Sequence, residues 1–466
     1  MKRAAVFALL FLLLLASRLA HRGILWAEED LPMAAAAEMR DGRTIYRDFW
    51  FDKPPLLPAL YLAWGVRDGV PLRVAGAVFG LLACWLAYLA AAGRWGESEG
   101  LVAACLLAFF LIFGLPSAVM PLAADLTMVA PHLAAILFAW RGRPYWAGVA
   151  AGVAVCLNLK GLFVLAAAAI WTWRAAPWLA AGFATPLILG AAWMGATGAL
   201  GAFYEQVWVW GRVYAADTFV ERPWQAVLAR TANWAGLHNA LVLGAAWFLW
   251  EEKSAERRRW ILWILVSAAA VTLGWRFFPR YYFQLLPPMV LAAAAGLWRR
   301  RDRRILVGFV LLSLAIPLVR FLPRYILLAT GRSGDWSDTA LDRDCRDAAA
   351  LVRAQAGPGD TLFVWGFRPS LFVLTGLRAG TPYLDSQPLT GVPADRHLSQ
   401  SRNVMPEVAR RHREIVTGYS PDFLIDGLGP YNPDLAITGY PDLQEWLGHY
   451  EEAGRTAGAV IYRRKR

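Results

Sequence analysis

Trp26-Ala-Glu-Glu-Asp30 … Tyr46-Arg-Asp-Phe-Trp-Phe-Asp-Lys-Pro-Pro55 follows directly on the apolar run 4–19. Behind Met1-Lys2-Arg3, that run is either a secretory leader or a membrane helix. His21-Arg22-Gly23 offers no small-x-small cleavage site, so it reads as a retained first helix. The quoted stretch is then the first loop of a membrane protein. Nothing in membrane topology demands three consecutive acids there, Glu28, Glu29 and Asp30, followed by Lys53 on a Pro-Pro turn. Carboxylates at a membrane face act as bases or hold a metal, and a fixed ammonium holds a phosphate. The pattern suits chemistry on a lipid-linked phosphate.

Working outward, the 466 residues are 58% hydrophobic, with a mean hydropathy of +0.39. Apolar runs recur along the chain, and the longer ones read as membrane spans. The net charge of +12 raises the question of nucleic acid. Its distribution answers it: Lys2-Arg3, Arg94, Arg141/Arg143, Arg174, Lys253 with Arg257-Arg258-Arg259, and Arg299-Arg300-Arg301 with Arg303-Arg304 fall in short clusters between apolar runs. That is the positive-inside pattern, and no nucleic-acid partner is expected. The basic end 463–466 reads as a solvated tail.

Placing those clusters inside gives about 11 spans: 4–22, 71–92, 100–115, 122–140, two within 145–173, 177–198, 236–250, 260–275, 283–298 and 305–322. The first outer loop is 23–70. Within it, 34–40 is helix-prone and ends at Asp41-Gly42. The apolar stretch 56–64 is too short to cross. The run 145–173 is broken by Asn158-Leu159-Lys160, which places Lys160 near an outer turn; one uninterrupted helix is the alternative and would invert everything after it. The aromatic segment 203–214 reads as an amphipathic stretch on the membrane or as a platform for sugar rings, with the first favoured.

From 323 the composition turns polar. Strands are expected at 359–366, 421–426 and 457–462, and amphipathic helices at 339–356 and 404–416. The fold class is therefore a polytopic α-helical membrane protein with a small C-terminal soluble α/β domain, divided as 1–322 and 323–466, the second part outside the cytoplasm. No internal repeat is evident. Cys84, Cys105 and Cys156 sit in apolar runs. Cys345 is alone in the polar part, so no disulfide is expected there, and no Cys/His spacing resembles a zinc site.

Other ionisable residues are placed too deep to be ordinary surface charges. Asp125 lies at the outer mouth of the fourth span, Lys160 near the membrane, and Arg73 just inside the second span. Ionisable groups at such depth are expensive and point to function, snorkelling being the structural alternative. The turn Trp275-Arg-Phe-Phe-Pro-Arg-Tyr-Tyr-Phe-Gln284 sets two arginines among aromatics. Topology does not require Arg276 and Arg280 on the outer side. An Arg fork suits phosphate oxygens, and Tyr281 and Tyr282 add hydroxyl donors.

The acids of the first loop, Gly42 … Tyr46-Arg-Asp48, Lys53-Pro-Pro55, the Asp125 region, Lys160-Gly161 and Arg280-Tyr-Tyr … Pro287 resemble, in order and spacing, the GT-C glycosyltransferases related to protein O-mannosyltransferases and the lipid A aminoarabinose transferase. The resemblance covers most of the membrane part. It implies a multi-pass enzyme of the inner membrane, with its active site and C-terminal domain on the extracytoplasmic side. Its donor would be a polyprenyl-phosphate sugar, and its acceptor a hydroxyl of a lipid, glycan or protein. By that resemblance a loop carboxylate is the base, while Lys53 with Arg276 or Arg280 neutralises the departing phosphate. There is one departure. The family usually shows Asp-Glu in the first loop, whereas here Glu28-Glu29 fall in that register. Either Glu replaces the usual Asp or Asp30 is the base, and Asp30 is slightly favoured. A divalent metal at the acids is compatible with the sequence and not required by it. The rival readings are a transporter or flippase of a lipid-linked glycan, which would need polar residues along several spans and ideally an inverted repeat, and a non-catalytic scaffold.

Overall fold

The computed structural model describes residues 2–216, 220, 222–253, 255–332, 336–393 and 403–465. Arg466 of the basic tail and 217–219 and 221 of the aromatic loop region lie outside the described residues. By internal contacts the chain divides into two compact units, Met1–Gly23, Arg67–Trp193, Val220–Ser333 and Ile24–Val66, Met194–Phe219, Gly334–Arg466. The first-loop segment and the 194–219 segment thus belong to the same unit as the polar C-terminal part, a grouping that composition along the chain does not display.

The first unit is helical. Four stretches among the described residues are long and apolar enough to cross a membrane: Arg3–Ala20, Val70–Arg94, Gly161–Ala196 and Arg304–Ala329. Other expected spans form shorter apolar helices, such as Glu97–Ile112, Val129–Trp140 and Pro144–Leu157. A crossing takes about 20 residues, so these fall short of it alone. The helix opening at Arg304 continues to Ala329 through Pro317 and Pro323, past the expected boundary at 322.

The run 145–173 is broken as the sequence indicates, into Pro144–Leu157 and Gly161–Thr172. A further reversal follows at Trp173–Ala175. A Cβ on Gly148 would meet Leu179 O at 2.1 Å, and one on Gly152 would meet Phe183 O at 2.6 Å and Pro186 Cγ at 2.4 Å. Ala176–Ala196 therefore packs alongside Pro144–Leu157 in the same direction, and small residues permit the close approach. Gly296 does the same on Gly244, where a Cβ would lie 2.2 Å from the Gly244 carbonyl oxygen.

Basic side chains collect at one end of these helices. Arg94 pairs with Glu256 and lies over the Trp140 ring, and Arg300 pairs with Glu251. Val129–Trp140, Pro144–Leu157 and Ala255–Thr272 each have one end there and the other at Asp125, Asn158 or Arg276 respectively. At 1.5 Å per residue, helices of this length separate the two ends by roughly 20 Å or more.

The second unit contains a five-stranded sheet of order β2-β1-β3-β5-β4, with β1 Thr361–Trp365, β2 Arg378–Ala379, β3 Phe423–Asp426, β4 Tyr450–Arg455 and β5 Val460–Arg464. β1 is parallel to β2 and β3; β3–β5 and β5–β4 are antiparallel. Phe363, Trp365, Leu424, Val416 and Trp446 share one buried cluster. The expected strands and the helices Ser337–Arg353 and Pro406–Thr417 appear within a few residues of their predicted limits. The edge strands β2 and β4 carry no apolar run and were not expected.

Candidate active site

Each unit carries its own set of predicted residues. In the first, Asp125 lies in the single turn Ala124–Thr127 that precedes Val129–Trp140. Lys160 closes the turn between Pro144–Leu157 and Gly161–Thr172. Asn158 ties the two together. Its Oδ1 accepts the Lys160 N–H at 3.0 Å, and its Nδ2 donates to Asp125 Oδ1 at 3.1 Å. The sequence presents Asn158 only as a helix breaker; in the structure its side chain bridges Asp125 and the Lys160 backbone.

Lys160 Nζ stands 3.8 Å from Asp125 Oδ1, and Arg280 Nε stands 3.6 Å from Oδ2. The Lys160 ammonium also lies over the Tyr281 ring, 2.8 Å from its centroid. Asp125 and Lys160 are only 6% and 7% exposed. The ammonium has no hydrogen-bond acceptor among the described residues. Burial pushes Lys160 down to about 7; Asp125 opposes this, and Arg280 and Arg276 reinforce it. The charges acting on this ammonium are thus one carboxylate and two guanidinium groups. A buried ammonium without an acceptor is costly, and an anion with several oxygens would relieve that cost.

Arg73 is buried and donates from Nη1 to Met120 O at 3.3 Å. Arg18, equally buried, donates from Nη2 to the neighbouring Val119 O at 3.4 Å. Together they hold the segment that leads into the Asp125 turn. Arg18 was missed, although an arginine inside an apolar run is the signal that identifies such a residue. Tyr282, expected to donate to phosphate, shares its hydroxyl with Thr231 at 2.8 Å.

In the second unit, Glu28, Glu29 and Asp30 form the first turn of the helix Ala27–Arg40, which ends at Asp41 with Gly42 at φ +89°. Carboxylates in a first turn are favoured by the helix dipole. Glu29 and Asp30 are buried and Glu28 half-buried. The segment just before them is anchored to Ser337–Arg353. Asp342 Oδ1 accepts the Leu25 N–H at 2.9 Å, and Asp338 Oδ2 accepts Trp26 Nε1 at 3.0 Å.

The Lys53 turn is closed by its own neighbours. Tyr46 donates its hydroxyl to Lys53 O at 2.7 Å, and Lys53 Nζ pairs with Asp52 at 2.6 Å. Burial lowers the Lys53 affinity for its proton, but Asp52, Tyr214 and Asp385 together raise it above the ordinary value. Asp48 works locally: it accepts the Thr44 N–H at 2.6 Å and pairs with Arg47. Tyr46 has φ +68°, a left-handed conformation that non-glycine residues rarely take. Gln206 secures it. Its Nε2 donates to Tyr46 O and its Oε1 accepts the Phe51 N–H, both at 2.9 Å. Gln206 lies in a π-helical segment, Tyr204–Val209, a geometry often found at functional sites. The aromatic segment around it therefore buries part of itself against the first loop rather than serving only as a membrane surface.

Among the described residues, no three His, Cys, Asp or Glu side chains are grouped to hold a metal.

The fold is similar along nearly its full length to ArnT from Cupriavidus metallidurans bound to undecaprenyl phosphate. The two share 14% identity and a TM-score of 0.62, over 99% of this chain and 98% of that one. The chain has the GT-C fold. The archaeal oligosaccharyltransferase AglB from Archaeoglobus fulgidus, in complex with an inhibitory peptide and a dolichol-phosphate, matches at 11% identity and TM-score 0.52, over all of this chain and 74% of AglB. The mycobacterial arabinofuranosyltransferase AftD matches at 15% identity and TM-score 0.52, over all of this chain and 40% of AftD. No family model and no curated protein matches the sequence. In this chain the Asp125–Lys160–Arg280 cluster and the Glu28–Asp30 turn are carried by different units.

Proposed function

We propose that the protein is an inverting glycosyltransferase, which moves a sugar from a polyprenyl-phosphate carrier to an acceptor hydroxyl outside the cytoplasm. The observation that carries this reading is the Lys160 ammonium, buried without a hydrogen-bond acceptor beside Asp125, which Arg280 also approaches, and within the field of Arg276. A phosphate group offers the oxygens this cluster calls for. The cluster lies at the end of the helices opposite to the basic loops, which the positive-inside rule assigns to the extracytoplasmic face. Support comes from the fold, since ArnT of the same fold is bound to undecaprenyl phosphate and AglB to dolichol phosphate.

The chemistry balances simply. The acceptor oxygen forms a bond to C1 of the sugar while the bond from C1 to the phosphate oxygen breaks. The bonding pair leaves with the phosphate, and the acceptor proton passes to a carboxylate. Attack opposite the leaving phosphate inverts C1. Lys160, Arg276 and Arg280 stabilise the charge arriving on the phosphate, where fixed cations contribute most. In the second unit, Asp30 is assigned as the base, with Glu29 and Glu28 as its rivals, and Lys53 as a further phosphate cation. Tyr281 underlies the Lys160 ammonium and Arg73 supports the Asp125 segment.

The test is sugar transfer from a panel of radiolabelled polyprenyl-phosphate sugars to crude membrane acceptors by the purified protein. Transfer by wild type and none by Lys160→Met is the expected result. If no donor is consumed and lipid-linked sugar instead crosses vesicle membranes, the transporter reading replaces this one.

A further inference from the structure

Arg276 sits in a strained turn. Gly274, Trp275 and Phe277 have φ of 73°, 53° and 48°. Glycine takes this conformation freely, but bulky aromatics do not, and such strain persists only where surrounding contacts enforce it. Among the elements that contact this turn and the segment after it is the helix Pro223–Leu237. None of its residues is fully buried, and Trp224 and Leu228 are 69% and 71% exposed.

Four of its side chains reach the strained turn or the segment that follows it. Trp224 meets Trp275 edge to face at 5.0 Å, and Arg230 donates to the carbonyl of Arg276. Thr231 shares a hydrogen bond with Tyr282, and Trp234 stacks on the Tyr282 ring at 5.4 Å. The stack continues from Trp234 to His238 at 4.6 Å and from His238 to Phe110 at 4.7 Å. Four rings in a column thus join the turn to the helix Glu97–Ile112. Residues 224, 231, 234 and 238 lie along one stripe of the helix, at multiples of its turn.

We infer that Arg230, Thr231 and Trp234 are positioning residues for the phosphate-binding turn, holding 275–282 so that Arg280 stays beside Asp125 and Lys160. This rests on the phosphate reading of that cluster. It also gives Tyr282 a different task from Tyr281: Tyr282 is the point by which the turn is gripped.

The experiment measures binding of undecaprenyl phosphate to the purified full chain, alongside the unliganded melting temperature. Thr231→Val and Arg230→Met should each weaken binding about five- to tenfold, the worth of roughly one hydrogen bond, while the unliganded melting temperature stays at the wild-type value. Thr231→Ser and Arg230→Lys should restore it. Thr231→Val combined with Tyr282→Phe should bind no more weakly than either alone, because both remove the same bond. The inference is overturned if Thr231→Val and Arg230→Met bind as wild type while Lys160→Met does not; the phosphate reading then stands alone. It is also overturned if binding falls only together with melting temperature and Thr231→Ser rescues neither. If Lys160→Met binds as wild type, the phosphate reading fails and takes the inference with it.

Discussion

Lys160 Nζ and Asp125 Oδ1 are 3.8 Å apart, close enough to attract but too far to share a hydrogen bond. Asn158 sits between the two chain segments and satisfies both with its amide. The ammonium is therefore held near its counter-charge yet keeps its donors. Such an arrangement is poised to bind a second anion rather than to close on itself.

Lys160→Met should abolish measurable binding of undecaprenyl phosphate, a loss of about 100-fold or more, since a buried charge-assisted contact is worth roughly 1.5–3 kcal/mol and neighbouring contacts loosen with it. Lys160→Arg should not restore full affinity, because the larger guanidinium must enter a buried site filled by a compact ammonium. Equilibrium binding at fixed pH checks both.

The same lysine predicts a pH dependence. Burial holds Lys160 at about 7, whereas an unfolded lysine titrates near 10.4. Between these values the unfolded chain binds more protons, so this group makes the empty protein more stable as pH rises from about 7 to 10. Phosphate binding runs the other way, because it needs the charged ammonium. A phosphate monoester is already mostly ionised above its second pKa of about 6. Affinity for undecaprenyl phosphate should therefore fall from pH 7 to pH 9, and Lys160→Met should flatten the profile. A wild-type affinity that is level across this range contradicts the assignment.

The base can be told from its neighbours by isosteric substitution. Glu29 and Asp30 are buried in the first turn of Ala27–Arg40, and Glu28 is half-buried. Asp30→Asn should remove at least about 100-fold of turnover with binding of undecaprenyl phosphate unchanged, the range typical of a lost general base. Glu28→Gln and Glu29→Gln should retain more. Loss concentrated in Glu28→Gln instead would assign the base to the register in which Glu replaces the usual Asp.

How much of this was legible in the sequence depends on how far apart the partners are. The break at Asn158-Leu159-Lys160, the helix end at Asp41-Gly42 and the buried strands β1 and β3 are local signals of polarity, turn chemistry and apolar runs, and all three are present. Asp125, Lys160 and Arg280 were marked because charge near a membrane is costly, and the structure brings them together. Gln206 was invisible, since it acts on Tyr46 and Phe51 across more than 150 positions of sequence. The strain at Trp275 and Phe277 was equally hidden: neither residue type favours positive φ, so it arises only from tertiary contacts. The helix Ala27–Arg40 was legible only in its second half, because three acids and Pro32 mask its start.

Gln206 gives the last prediction. Its amide meets two backbone groups of the first loop at once, the Phe51 N–H and the carbonyl of Tyr46. Gln206→Leu keeps the side-chain volume but leaves both groups without that partner. A buried polar group stripped of its bond costs about 1–3 kcal/mol, so the substitution should destabilise the fold by roughly 2–4 kcal/mol. Tyr46 adds to this, because its left-handed backbone is favoured only while its contacts last. Once released, Tyr46 would cease to hold Lys53 through its hydroxyl. Gln206→Leu should therefore lower the melting temperature and also expose the 46–53 loop to faster amide exchange. Gln206→Glu, which keeps an acceptor for Phe51 but loses the donor to Tyr46, should fall between the two. A loop whose exchange is unchanged in Gln206→Leu would mean that the Tyr46 turn is held by its aromatic neighbours Phe51 and Phe203 instead.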